Sequence, residues 1–290
     1  YNWEDLGLIA EPDLTSPDGN LFPEKYVDRP HILHCAATGK YVMWVKISSA
    51  ESCFTILQAD KLTGPYTIVT EDYYPLGSSV GDFDMVEDAD GKAYLYMDAT
   101  PKRVAGFELA ADYCSVTKEV TRQYEGLNPP FCREGITLFA HGDKKYLITS
   151  GMTGYTPNQS DAAVSDGWDK PFVSVGDPHV DDDTMASFNS QISQVFRVPG
   201  KNLYIAIADR WMPDYLLDGR EADAVRRVVA SHYDAEHYKA TPEEAAAFAA
   251  RPDLERCNTN HSTYVWLPLT FRDGKPEIRW YDSWKLEDFA

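Results

Sequence analysis

The 290-residue sequence predicts an all-β protein: a five-bladed β-propeller with a short helical insertion and an incomplete first blade. Hairpin patterns recur at 28–46 (DRPHILHCAATGKYVMWVK), 82–98 (DFDMVEDADGKAYLYMD), 132–151 (CREGITLFAHGDKKYLITSG) and 191–209 (QISQVFRVPGKNLYIAIAD). Each has the alternating apolar positions of half-buried strands around a polar turn. The returning strands carry Tyr41, Tyr94, Tyr146 and Tyr204, which follow one another at 53, 52 and 58 residues. A period of about 50 residues built from short strands marks propeller blades rather than helical repeats. A polar residue precedes each tyrosine at a near-constant gap: 13 residues from Asp28 to Tyr41, 12 from Asp82 to Tyr94, 12 from Glu134 to Tyr146 and 13 from Gln191 to Tyr204. Four hairpins thus present one polar residue each at the same structural place.

Residues 1–9 (YNWEDLGLI) read as an outer strand of a blade whose inner strands are missing, so the chain reads as starting part-way through a blade. The phrases TGPY at 63–66 and DKPF at 169–172 are its counterparts in later repeats. Residues 12–23 are a loop rich in Asp, Pro and Gly. Outer strands are expected around 54–58 and 66–69. The run DADG at 88–91 is read as a hairpin turn, since it lacks the spacing of a calcium loop. Asp181, Asp182 and Asp183 form an acidic stretch best read as a solvated loop. Residues 219–258 turn rich in Ala, Glu and Arg with helical periodicity, and Thr241-Pro242-Glu243-Glu244 carries the signature of a capping box. The chain closes with a strand at 263–271, a turn at 273–276 and a strand at 278–281. That hairpin, counted with the N-terminal strand as one shared blade, makes the fifth and closes the ring. The whole of 1–290 is read as one domain.

A formal charge of −19 argues against nucleic acid, because nothing here could neutralise a phosphate backbone. It also disfavours anionic membrane surfaces. No apolar run is long enough to span a bilayer, and no leader is visible at Tyr1. Cys35, Cys53, Cys114, Cys132 and Cys257 are odd in number and lack CxxC spacing, so neither a disulfide framework nor a zinc site is expected. Read as buried thiols, they lean towards a reducing, cytoplasmic compartment, with a secreted mature form as the alternative.

In a propeller the starts of the inner strands gather at one end of a central channel. Asp28, Asp82, Glu134 and Gln191 are therefore expected to converge on one pocket. Carboxyl groups at close quarters raise one another's pKa, so one can remain a proton donor while another stays ionised. That is the requirement of glycoside hydrolysis. Each carboxylate alone is worth little, since Asp and Glu are common at strand starts. Asp84 and Glu87 compete with Asp82, which the repeat phase favours. The histidines form no triad, and neither a metal nor a cofactor is expected.

The phrases DRPHILHCAATGKYVMW, DFDMVEDADGKAYLYMD, REGITLFAHGDKKYLITSGMTGY, FNSQISQVFRVPG, ADRWMPD and YVWLPLTFRDGKPEIRWYD together resemble glycoside hydrolase family 43, most of all its exo-β-1,3-galactanase branch. The resemblance covers nearly the whole chain outside 219–258. It implies a five-bladed propeller that hydrolyses an oligosaccharide or polysaccharide with inversion. By resemblance Glu134 matches the general acid, and Asp82 the aspartate that tunes and orients it. Gln191 matches a glutamine thought to act on the attacking water through its amide tautomer. Asp28 stands where the branch carries Glu. Arg29, Thr153 and Tyr155 match substrate ligands, Tyr155 replacing a commoner Trp, and Arg210 in ADRWMPD is a further one. The base that most of the family takes from the first inner strand is absent, as it is in the galactanase branch. The expected activity is exo-release of galactose from β-1,3-galactan. The alternatives are an arabinofuranosidase or xylosidase of the same family, and a non-catalytic carbohydrate-binding propeller.

Overall fold

A computed structural model describes residues 4–100, 102–213, 218–251 and 258–289. Within these the chain forms four sheets of four strands, each a meander in which consecutive strands are hydrogen-bonded neighbours, the unit of a propeller blade. It divides into two compact units, 1–122 and 123–290.

The first unit holds two sheets. One contains β1 (Tyr26–Cys35), β2 (Lys40–Ser48), β3 (Cys53–Ala59) and β4 (Thr67–Tyr73); the other contains β5 (Val80–Glu87), β6 (Ala93–Ala99), β7 (Arg103–Leu109) and β8 (Val116–Gln123). Alternation along these strands sends Trp44, Phe54, Phe83, Leu95, Met97 and Phe107 into one shared apolar cluster. The rings meet edge-on, with centroids 5.1 Å apart for Trp44–Phe54 and 4.6 Å for Phe54–Phe83. That arrangement suits the aromatic quadrupole. The Trp44 indole N–H donates to the Tyr113 carbonyl at 2.8 Å, so its burial leaves no polar atom unmatched.

The second unit holds β9 (Arg133–His141), β10 (Lys144–Gly151), β11 (Ser160–Ser165) and β12 (Val173–Gly176), then β13 (Gln191–Arg197), β14 (Tyr204–Arg210), β15 (Thr263–Arg272) and β16 (Lys275–Ile278). Its core gathers Phe139, Tyr146, Ile148, Val195, Tyr204, Leu267 and Leu269. The two repeat tyrosines of this unit are core residues with an occupied hydroxyl: Tyr146 donates to the Gly274 carbonyl and Tyr204 to that of Ala140, both at 2.8 Å. At these two positions a Phe would leave those carbonyls without that donor.

Between β14 and β15 lie α1 (Gly219–Tyr233) and α2 (Pro242–Ala249). Both start with the reciprocal capping box, Asp218 with Glu221 and Thr241 with Glu244. The rest of the expected helical insertion at 252–257, Cys257 included, lies outside the described residues. No helix among the described residues is long and apolar enough to cross a membrane.

Two expectations about the blades need correction. The last hairpin does not belong to a fifth blade: β15 pairs with β14 along its length, from Tyr204–Leu269 to Arg210–Thr263, and β16 completes that fourth sheet. Two-residue Asp273-Gly274 closes the hairpin with both residues at positive φ, the geometry that an Asp-Gly turn supplies. The last strand ends at Ile278, so 279–281 lie beyond it. Nor do residues 4–9 form a strand; the chain is held there by the Tyr66 N–H donating to the Ile9 carbonyl at 2.7 Å. Residues 1–3, with Trp3, lie outside the described residues. TGPY and DKPF are the turns that lead into β4 and β12, the former through a cis Gly64–Pro65 bond.

Candidate functional site

All four inner hairpins share one irregularity. Each inner strand carries one residue more than its partner between Asp28 and His31, between Val80 and Phe83, between Glu134 and Thr137, and between Ile192 and Gln194. A bulge interrupts the alternation of side chains and re-aims the residue beside it. In every case that residue is the candidate or its direct neighbour: Asp28, Asp82, Glu134 and Gln191.

In the first unit the structure brings Asp28, Arg29 and Asp82 close. Arg29, at a φ of 48° in the β1 bulge, places its Nε 3.1 Å from Asp82 Oδ1, with both side chains 16% exposed. A bulky residue rarely holds a left-handed φ, so this backbone is kept strained by its surroundings. Lys46, opposite Asp28 in register, reaches the same Asp82 oxygen at 3.3 Å. The Asp28 carboxylate accepts a hydrogen bond from Ser48.

Asp98 of β6 faces the bulge of β5. Its carboxylate accepts the Asp82 backbone N–H, and burial first, then the Asp82 charge, push its pKa up to about 8 against the pull of Lys46 and Arg29. Gly81 makes the room: a Cβ there would lie 1.1 Å from Asp98 Oδ1. One strand pair further along, His31 Nδ1 lies 2.6 Å from Asp84 Oδ1, and Asp84 also accepts the Met85 N–H at 2.8 Å. Asp84 is therefore occupied by its own pair, which favours Asp82 as the sequence phase does.

In the second unit Glu134 stands opposite Ser150 at the mouth of the β9–β10 hairpin. Gln191 Nε2 donates to Ser150 Oγ at 2.7 Å, and Ser150 Oγ donates a long bond to the Glu134 carbonyl at 3.5 Å. The backbone before Gln191 is unusual: Met185, Ser187, Phe188 and Asn189 all have positive φ. Asp182 holds this run by accepting the N–H groups of Thr184, Ala186 and Phe188 at 3.2, 2.9 and 3.1 Å. The acidic stretch thus owes one member to loop closure, while Asp181 pairs with Arg279.

A small cavity beside Gln191 is lined by Ser150, Tyr155, Asn158, Asn189, Gln191 and Trp211 among others. Tyr155 is 50% exposed and meets Trp211 edge-on, with centroids 5.4 Å apart. Asn158 braces the loop by bonding both the N–H and the carbonyl of Gly151 at 2.6 Å. Thr153 belongs to the same loop. Its hydroxyl accepts from Asn158 at 2.6 Å and donates to the Thr156 carbonyl at 2.7 Å, so it is committed to the loop. Arg210 lies over the Trp280 ring, 5.0 Å from its centroid, and donates to the Pro213 carbonyl at 3.3 Å.

Lys46, Asp98, Ser150 and Trp211 were not singled out from sequence. The signal for the first three was present: they follow the repeat tyrosines by five, four and four residues. Lys46 and Ser150 stand opposite Asp28 and Glu134 in register, and Asp98 faces the bulge that holds Asp82.

Meander blades with a bulged polar residue at the mouth of each inner strand define a β-propeller. The match to the model "Glycosyl hydrolases family 43" spans residues 29–220, more than half of the chain. The chain belongs to this family. A search of curated proteins gave no match. Among solved structures, a family 43 β-1,3-galactosidase superposes with a TM-score of 0.76 at 25% identity, covering 100% of this chain and 53% of that one. A second family 43 β-1,3-galactosidase, solved with galactodeoxynojirimycin, gives 0.73 at 21% identity, covering 99% and 84%. The exo-β-1,3-galactanase of Phanerochaete chrysosporium, solved with galactose, gives 0.67 at 21% identity, covering 93% and 52%. The chain thus spans about half the length of the first and third of these. These likenesses show the β-propeller fold.

Proposed function

We propose that this chain is an inverting, exo-acting glycoside hydrolase that releases galactose from the non-reducing end of β-1,3-galactan. The observation that carries the reading is Gln191: an amide, where hydrolysis with inversion wants a water-activating group, is fixed through Ser150 on the rung that faces Glu134. Inversion asks for a proton donor to the leaving oxygen and a group that activates water on the opposite face of the sugar. Glu134 takes the first role and Gln191, as its amide tautomer, the second. Asp82, paired with both Arg29 and Lys46, is the carboxylate that tunes the acid. Arg29 and Asp28 serve as sugar ligands, and Tyr155 with Trp211 supplies an aromatic wall for a sugar face. The same reading takes the four described sheets as blades of the family's five-bladed propeller. The named galactosidases and galactanase among the similar structures support galactose over other sugars.

The test is incubation of the 290-residue chain with β-1,3-galactobiose and β-1,3-galactotriose, with products followed by chromatography and the first-formed anomer by proton NMR. Galactose released one unit at a time, as the α-anomer first, is the expected result. The β-anomer first would overturn inversion. Cleavage only of arabinofuranosides or xylosides would move the chain to another specificity of the family, and binding without turnover would make it a carbohydrate-binding propeller.

A further inference from the structure

We infer that Ser150 is a positioning residue for Gln191, fixing which way the amide faces. The inference rests on the reading of Gln191 given above and gives its contact with Ser150 a role of its own, the choice of amide orientation. Ser150 is 4% exposed, and its Oγ takes the Gln191 Nε2 hydrogen at 2.7 Å. Its own hydroxyl lies 3.5 Å from the Glu134 carbonyl, the acceptor within its reach. A hydroxyl that donates to a carbonyl meets Gln191 as an acceptor, and so selects the rotamer with Nε2 towards it and Oε1 turned away. The flipped amide would set two acceptors face to face, unless Ser150 gave up the carbonyl.

The close approach is built into the backbone. Gly135 sits at a φ of 63°, and a Cβ there would lie 2.8 Å from Ser150 Oγ and 2.9 Å from both Cγ and Cδ of Gln191. Any side chain at 135 would push the pair apart. The strained run ahead of Gln191 adds a second constraint, because Ser187 Oγ donates to the Asn158 carbonyl at 2.9 Å and pins the entry to β13.

The first unit repeats the relationship with different chemistry. Lys46, on the matching rung of the first sheet, reaches Asp82 of the second at 3.3 Å, as Ser150 of the third sheet reaches Gln191 of the fourth. The second strand of one blade therefore holds the candidate residue of the next. An ammonium faces the carboxylate, and a hydroxyl faces the amide.

The experiment compares the wild-type chain with Ser150→Ala, Gln191→Ala and the double variant, using β-1,3-galactobiose and the side-chain amide NMR signals of 15N-labelled protein. The Gln191 NH2 signal is assigned by its loss in Gln191→Ala. Expected for Ser150→Ala are a kcat lower by about 10- to 100-fold, a KM within about twofold, and a Gln191 signal that shifts and exchanges faster with water. The double variant is expected to match Gln191→Ala alone, since Ser150 acts only through Gln191. An unchanged Gln191 signal in Ser150→Ala, or an added loss in the double variant, overturns the inference. Should Ser150→Ala not fold, Ser150→Cys keeps the volume while weakening the acceptor and is read by the same signals. A wild-type chain inactive on every galactoside would refute the functional reading, while the NMR comparison would still decide the role of Ser150.

Discussion

Asp98 and Asp82 face one another across the β5 bulge, the Asp98 carboxylate accepting the Asp82 backbone N–H while Arg29 and Lys46 flank Asp82. Two carboxyl groups so close cannot both ionise cheaply, and the one whose pKa desolvation and its neighbour's charge raise keeps its proton. Asp98 is that group.

A stability effect of definite sign follows. The folded chain holds the Asp98 proton up to a pH of about 8, whereas the ordinary value is 3.8. The unfolded chain binds fewer protons between these limits. The contribution is therefore fully present below the unfolded value, falls as pH rises, and is gone above the folded one. Urea denaturation at pH 5.5 and pH 9 should show the wild type losing about 1–3 kcal/mol more than Asp98→Asn. Parallel losses in the two proteins would remove Asp98 as a proton-holding group.

Gly81→Ala should be severe, because the added methyl would occupy the position of the Asp98 carboxylate, 1.1 Å from its Oδ1. Forcing that carboxylate out costs about 1–3 kcal/mol as overpacking, and it also deprives the Asp82 N–H of its acceptor. Asp98→Ala in the same chain opens the space. The double variant should then be more stable than the sum of the two single losses predicts, as read from denaturation midpoints. Simple additivity would mean that the two positions do not share the space.

The acid role of Glu134 predicts dependence on the leaving group. Glu134→Gln removes the donated proton but keeps size and hydrogen bonding, so hydrolysis of β-1,3-galactobiose should fall by about 10²- to 10⁴-fold with unfolding unchanged. A dinitrophenyl galactoside, whose leaving oxygen needs no proton, should lose far less. Equal losses on both substrates would take Glu134 out of the acid role.

The parts of this architecture legible in the sequence were those that local pattern encodes. Tyr41, Tyr94, Tyr146 and Tyr204 marked the blades because each blade needs a large ring in its second strand, and the hairpin turns were written in Gly and Asp. The fourth blade was misread for a physical reason: β14 ends at Arg210 and its partner β15 begins at Thr263, with two helices between them. Pairing across such an insertion leaves no local trace, so β15 and β16 looked like a separate hairpin. The bulges were equally silent, since one extra residue changes where Asp82 or Gln191 points without changing the apolar pattern. Local pattern is equally silent on how Thr153 is held. Its match to a sugar ligand comes from the resemblance, and only the structure shows that its hydroxyl also bonds Asn158 and the Thr156 carbonyl.

Trp211 and Tyr155 carry the last prediction, because their edge-on contact makes them one wall rather than two independent platforms. A wall that touches sugar equally in the ground and transition states contributes to KM and not to kcat. Trp211→Ala removes one ring and the packing partner of the other, so KM should rise by about 3- to 10-fold with kcat nearly unchanged, the scale of an aromatic contact of about 1 kcal/mol. Tyr155→Ala should act in the same direction. The double variant should exceed the worse single variant by little, because once Trp211 is lost, the half-exposed Tyr155 ring loses the edge-on contact that sets its angle. Initial-rate measurements on galactobiose across the four proteins separate the cases. A fall in kcat with KM unchanged would place Trp211 at the reacting end of the sugar instead, and full additivity would mean that each ring meets the sugar alone.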